Sequence, residues 1–240
     1  EYFEQRYAGF PGLNLTFEVR EGIIKHSHDY TAEKYPHLAE YLLDQRPPLE
    51  AQLIDHTDEI AYNTADLDDG FEAELLDLDE IRANVRIFDR AYREAEARYP
   101  DVREKLKFNE ALKAMMNRLV TDLTENTAVR IRDAKVRSVE DVRNYPERIV
   151  GFSAEVDAER AEAKKFLYAS LYHSEKLRPQ KADGEKIVSE VFAALIANST
   201  QLPPSYQQKI GSSSQERVVC DYIAGMTDNF ILDLHHKLCS

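Results

Sequence analysis

Tryptophan is absent from the 240 residues, and the chain holds only two cysteines, eight glycines and nine prolines. Both cysteines, Cys220 and Cys239, lie near one end, so disulfides cannot frame the fold. With no signal-peptide pattern, this points to a reducing, cytoplasmic setting. No apolar run approaches the ~20 residues of a membrane helix. Cations are the minority, 31 Lys and Arg against 44 Asp and Glu, for a formal charge of −13. That balance argues against broad electrostatic binding to nucleic acid or anionic membrane, while an anionic substrate needs only a local cluster of cations. Glycine-rich phosphate loops, CxxC pairs and GxSxG are also missing, which removes support for the familiar ATPase, zinc-ribbon and serine-hydrolase readings.

What remains is helix-forming sequence. Few breakers among many Ala, Glu, Leu, Lys and Arg indicate one all-α domain. Its organising stretch is Pro47–Gly70, PPLEAQLIDHTDEIAYNTADLDDG. Prolines open it, where a missing N–H costs nothing, and Gly70 sits where a left-handed cap ends a helix. At ~100° per residue, Leu53, Ile54, Thr57, Ile60, Ala61, Thr64 and Leu67 share one face. Asp55, Asp58, Glu59, Tyr62, Asp66 and Asp69 share the other. Such an acidic stripe is ordinarily solvated. Here a large ring, Tyr62, interrupts it, and like charges three and four apart repel unless something compensates.

The remaining elements follow from periodicity and caps. Residues 1–8 read as a short helix, stopped by the Gly9–Pro11–Gly12 turn. Asn14 is expected to cap a helix through His26, and residues 37–44 form a helix within a loop. A long helix runs from an Asp77 or Asp79 cap to Tyr99, and another covers about 102–126. TAVRIRDAKV leaves a short strand and a frayed helix both open, and SVEDVRN carries a capping-box pattern. Ser153 caps a helix to about Lys176. Helices at 183–198 and 215–238 complete the chain.

Single residues give little by pattern alone. His28–Asp29 imitates a metal-binding HD pair but lies in a loop-like HSHDYT segment. His235–His236 has no acidic partner at ligand spacing. Lys25 and His26 suit a helix C-terminus, and Arg46 suits a surface.

Four segments nevertheless carry a family resemblance: PGLNLTFEVREGIIKH, LEAQLIDHTDEIAYNTADLDDG, FSAEVDAERAEAKKFLYASLY and DYIAGMTDNFILDLHHKL. Together they resemble the bacterial deoxyguanosine triphosphate triphosphohydrolases and related HD-domain dNTPases, in the family's order over nearly the whole chain. The resemblance implies an all-α HD-superfamily fold, a divalent metal (Mg²⁺ or Mn²⁺), and hydrolysis of a deoxynucleoside triphosphate to deoxynucleoside and triphosphate. It implies metal ligation by Asp58, packing of Tyr62 on the sugar, and Asp66 near the sugar 3′-hydroxyl. It implies phosphate contacts from Lys25 and Arg46. His26 stands in place of a ring residue, Ala65 where many members have His, and Lys113 where members often have Arg.

The family's first His, its His-Asp pair, and the His and Glu assisting the attacking water fall upstream of Glu1. The chain is therefore expected to be the C-terminal two-thirds of such an enzyme, inactive alone and without catalytic residues of its own. Family members are commonly homo-oligomers. The competing expectations are a non-catalytic homologue that binds nucleotide or DNA as regulator or scaffold, and a plain helical interaction domain.

Overall fold

The structure, a computed structural model, describes residues 7–10, 13–175 and 177–239, with Gln180 described for its backbone alone. The described residues are helical, with one isolated bridge between Ile210 and Ser213 and no strand, in agreement with the all-α expectation. They form two compact units, Glu1–Leu171 and Tyr172–Ser240.

In the first unit, α1 spans Phe17–Lys25. Its cap is Thr16, whose hydroxyl accepts from Val19 N, and not Asn14, which sits two residues earlier at φ 54°. The short helix expected at 1–8 falls largely on residues outside those described, as do Pro11 and Gly12, and Tyr7 and Ala8 are not helical. Residues Pro36–Tyr41 make a 3-10 turn rather than an α-helix through residue 44.

Helix α2, Leu49–Glu72, begins as expected behind Pro48. It does not stop at Gly70. That glycine is a packing requirement: an added Cβ would lie 2.6 Å from Leu76 Cδ1 and 2.8 Å from its Cγ. The chain turns back over it, and Leu75 N and Leu76 N both donate to Gly70 O at 2.9 Å. The buried face of α2 comprises Ala51, Gln52, Ile60, Asn63, Thr64, Leu67 and Gly70. Leu53 and Ile54 are 39% and 44% exposed, so the core lies rotated from the face that periodicity selects.

The expected 77–99 helix is two, α3 (Leu78–Asn84) and α4 (Arg86–Arg98). Asp77 Oδ1 caps the first, accepting from Asp79 N and Glu80 N. They break at Val85, which keeps its side chain fully buried by leaving helical geometry. Helix α5 runs unbroken from Glu104 to Ala134, so TAVRIRDA is helix, closed by Lys135 at φ 55°. Helix α4 lies along α5, and α2 packs on both α5 and the later helix Ala154–Leu167. Phe108 joins them, stacked on Phe71 at 4.2 Å and tilted on Phe88 at 5.1 Å. Phe88 and Phe108, both fully buried, each contribute about 1.5–3 kcal/mol of transfer free energy.

Helix α6, Val139–Arg143, has the expected capping box between Ser138 and Asp141. Ser153 caps α7, Ala154–Leu167, while its own N–H and hydroxyl bond Asp122. That helix does not reach Lys176, which lies outside the described residues; a π-helical turn follows at Tyr168–Tyr172.

In the second unit, α8 (Arg178–Ala197) starts five residues before the expected point, and a short α9 follows at Pro204–Gln207. The expected last helix is two, α10 (Gln215–Ala224) and α11 (Asp228–Cys239), with Thr227 Oγ1 accepting from Phe230 N between them. Val191, Leu195, Leu202, Val218 and Val219 form this unit's core. His235, without an acidic partner by spacing, finds one across helices: its Nε2 lies 2.6 Å from Glu190 Oε2.

Candidate active-site wall

The acidic stripe of α2 is not uniform. Glu59 is taken by α7, hydrogen-bonded to Arg160 and, at 2.7 Å, to Lys164. Burial alone would raise its carboxyl pKa; those two bonds outweigh burial and hold it below the usual range. Asp55 accepts from Ser27 at 2.9 Å. Asp58 is exposed and pairs with no cation among the described residues. Tyr62, one turn on, is 60% exposed. Asp66, a further turn on, is half-buried. Three polar side chains at steps of four thus follow one another over about 12 Å of axis.

Near the N-terminal end of this stripe stands a knot of cations that periodicity did not reveal. Lys25 is buried, and its ammonium donates to Glu21 Oε1 at 2.9 Å, Leu42 O at 2.8 Å and Arg46 O at 3.3 Å. All three donors of the ammonium are used. Burial lowers its pKa from the ordinary lysine value, opposed by the Glu21 hydrogen bond. Glu21 Oε2 also takes Arg143 Nη2 at 2.6 Å, and this bond raises the guanidinium pKa against the opposing effect of burial. Arg46 is partly exposed and donates through Nε and Nη2 to Pro146 O at 3.2 and 2.7 Å. Arg148 donates to His26 O at 2.8 Å.

Of the residues implied by resemblance, Lys25 and Arg46 are brought together through the Arg46 carbonyl, and Asp58, Tyr62 and Asp66 through α2. The Ser27–Asp55 bond ties the loop after α1 to the stripe one turn before Asp58. An apolar groove of about 410 Å³ among Val19, Ile23, Ala51, Ile54 and Val139 lies nearby, and none of Lys25, Arg46, Asp58, Tyr62 and Asp66 lines it. His28 is exposed, and Asp29 faces Arg148 and Arg46, an ion-pair partner and not half of a metal pair.

Glu21, Arg143 and Arg148 were not singled out by sequence. Glu21 had a signal, its i,i+4 spacing to Lys25. The arginines, more than a hundred residues away, had none.

No group of three or more His, Cys, Asp or Glu side chains among the described residues is arranged to hold a metal. Asp58 alone does not suffice, since divalent ions in such sites take several donors. The described residues do not by themselves fit the implied metal.

Comparison with known proteins gives the class first. Residues 150–237 match the family model of the phosphohydrolase-associated domain. Similarity to curated relatives extends over nearly the whole chain. The chain is 41% identical over 236 residues to a deoxyguanosinetriphosphate triphosphohydrolase-like protein of Bordetella pertussis (strain Tohama I), covering 98% of this chain and 61% of that protein. Similarly named proteins of Azoarcus sp. (strain BH72) and Geobacter sulfurreducens are 38% and 37% identical, covering 99% of this chain and 62% and 61% of their own lengths. Nearly the whole chain is similar to proteins named deoxyguanosinetriphosphate triphosphohydrolase-like, and it spans about three-fifths of those relatives. Among the described residues no helix is long and apolar enough to cross a membrane.

Proposed function

We propose that the protein is a hydrolase that releases inorganic triphosphate from a deoxynucleoside triphosphate, with dGTP the first substrate to test because of its relatives' names. The observation that carries this reading is the row Asp58, Tyr62 and Asp66. In it Asp58 and Tyr62 are exposed, while the carboxylates flanking Asp58 on the stripe, Asp55 and Glu59, are occupied by structural partners. A compensated Glu59 beside an uncompensated Asp58 is what a helix wall with one working carboxylate requires.

In this proposal Asp58 supplies one donor to a divalent metal, Mg²⁺ or Mn²⁺, whose other donors lie outside the described residues. Tyr62 offers its ring to the sugar and Asp66 accepts from the 3′-hydroxyl. Arg46 meets the polyphosphate with its partly exposed guanidinium. Lys25 adds positive charge from behind, and reaches phosphate directly only by exchanging one of its three bonds. These cations offset the charge of a polyanion that would otherwise avoid a chain of net charge −13. A cytoplasmic homo-oligomer belongs to the same proposal.

The test is triphosphate release from dGTP by the full-length protein with Mg²⁺ or Mn²⁺. Asp58→Ala is expected to lower it by at least about 100-fold, as loss of a ligand exceeds the cost of losing an outer-shell partner. Because Asp58 is exposed, its stability should change by less than about 0.5 kcal/mol. Unchanged turnover in this variant removes Asp58 from the site. Nucleotide binding without turnover by the full-length protein would turn the reading to a non-catalytic homologue.

A further inference from the structure

Arg46 and Arg148 share one feature that the family resemblance does not assign. Each guanidinium is pinned by a backbone carbonyl through one edge, Arg46 on Pro146 O at 2.7 Å and Arg148 on His26 O at 2.8 Å. Each then turns a further nitrogen toward the same carboxylate, that of Arg148 being Nη2, which also donates to Lys25 O at 3.4 Å. Arg46 Nη1 lies 3.9 Å from Asp29 Oδ2, and Arg148 Nη2 lies 3.4 Å from Asp29 Oδ1. The carbonyl ties are short and the carboxylate contacts are long. Asp29 is 71% exposed, on a loop, and held more loosely than the arginines that face it.

We propose that Arg46 and Arg148 form a two-guanidinium seat for a phosphate group of a polyphosphate chain, and that Asp29 is its internal occupant, displaced when phosphate binds. The proposal rests on the phosphohydrolase reading for its ligand. The physics is competition. A guanidinium held by one edge has lost little freedom still to lose, so its free donors are preorganised for an oxyanion. A phosphate brings more charge and more acceptor oxygens than one carboxylate, and planar arginine forks suit it. An exposed ion pair of this length is worth little, so displacement is cheap. Asp29 keeps the two like charges compensated while the seat awaits ligand.

The experiment is calorimetric titration of the 240-residue protein with inorganic triphosphate at low salt, with orthophosphate and dGTP as parallel ligands. Asp29→Asn is expected to tighten triphosphate by about three- to tenfold, and Arg148→Gln to weaken it by about tenfold. In the double variant the gain from Asp29→Asn should disappear. Orthophosphate should respond in the same direction but bind more weakly; dGTP should follow triphosphate. No triphosphate binding by the parent protein, or unchanged or weaker binding by Asp29→Asn, overturns the proposal. If Arg148→Gln fails to fold in a thermal melt, Arg148→Lys and Asp29→Asn decide it. Triphosphate binding needs no turnover, so the two readings fail separately. Absent dGTP hydrolysis with an intact Asp29→Asn effect sinks the hydrolase and leaves the seat. Hydrolysis with no Asp29→Asn effect does the reverse.

Discussion

Arg143 sets its Nη2 2.6 Å from Glu21 Oε2 across 122 residues of sequence, and the other oxygen of that carboxylate holds Lys25 at 2.9 Å. Glu21 is fully buried and pairs with both buried cations, while Arg143 Nη1 also reaches Glu140 Oε1 at 2.6 Å. The trio joins α1 to α6, and through Lys25 to the loop carrying Arg46.

Breaking such a pair leaves a buried charge without a partner. Glu21→Gln should therefore cost about 3–5 kcal/mol in urea unfolding. Glu21→Leu combined with Lys25→Met and Arg143→Met should cost less than the single change, because no charge is stranded. A single variant as stable as the parent would show the trio to be solvated.

His56 gives a pH dependence. Its ring sits edge-on to Phe152 at 5.3 Å, and burial first, then the Arg160 guanidinium, lowers its pKa below the ordinary 6.5, with Val150, Glu59 and Asp55 opposing. The unfolded chain therefore binds the proton more readily than the folded one. The resulting stability is complete above pH 6.5 and declines as pH falls toward the folded value. Urea midpoints at pH 7.5 and 5.5 should converge in His56→Gln relative to the parent. An equal drop in both proteins would exclude His56 as the cause.

Gly70→Ala tests the helix interior. In an open helix this change stabilises by about 1 kcal/mol. Here the new methyl meets Leu76, itself buried, at 2.6–2.8 Å, and the tail that follows α2 must shift. The expected result is a loss of about 1–3 kcal/mol in denaturant unfolding. Pairing the change with Leu76→Ala should recover part of the clash. A stabilised single variant would mean that the tail packs loosely.

Local chemistry made much of this molecule legible before any coordinates. Scarce breakers and regular apolar spacing specify helices, and Pro48, Asp77, Ser138 and Ser153 mark starts that the structure keeps. Interruptions were harder. Val85, Gly70 and Thr227 owe their roles to what packs or turns around them, and no residue type announces that. The buried face of α2 was misplaced for the same reason. Gln52 is inside because its amide takes Pro47 O, Ile149 N and Val150 N, and a hydropathy pattern reads it as polar.

The candidate site divides along the same line. By itself the sequence determined that Asp58, Tyr62 and Asp66 share a stripe, since helix pitch follows from chain geometry alone. Only tertiary structure decided which carboxylates of that stripe are compensated, by bringing Arg160 and Lys164 to Glu59 and leaving Asp58 exposed. It also gathered Lys25, Arg46, Arg143 and Arg148 around Glu21 and Asp29. Charges distant in sequence meet only when helices pack, and no periodicity encodes that meeting.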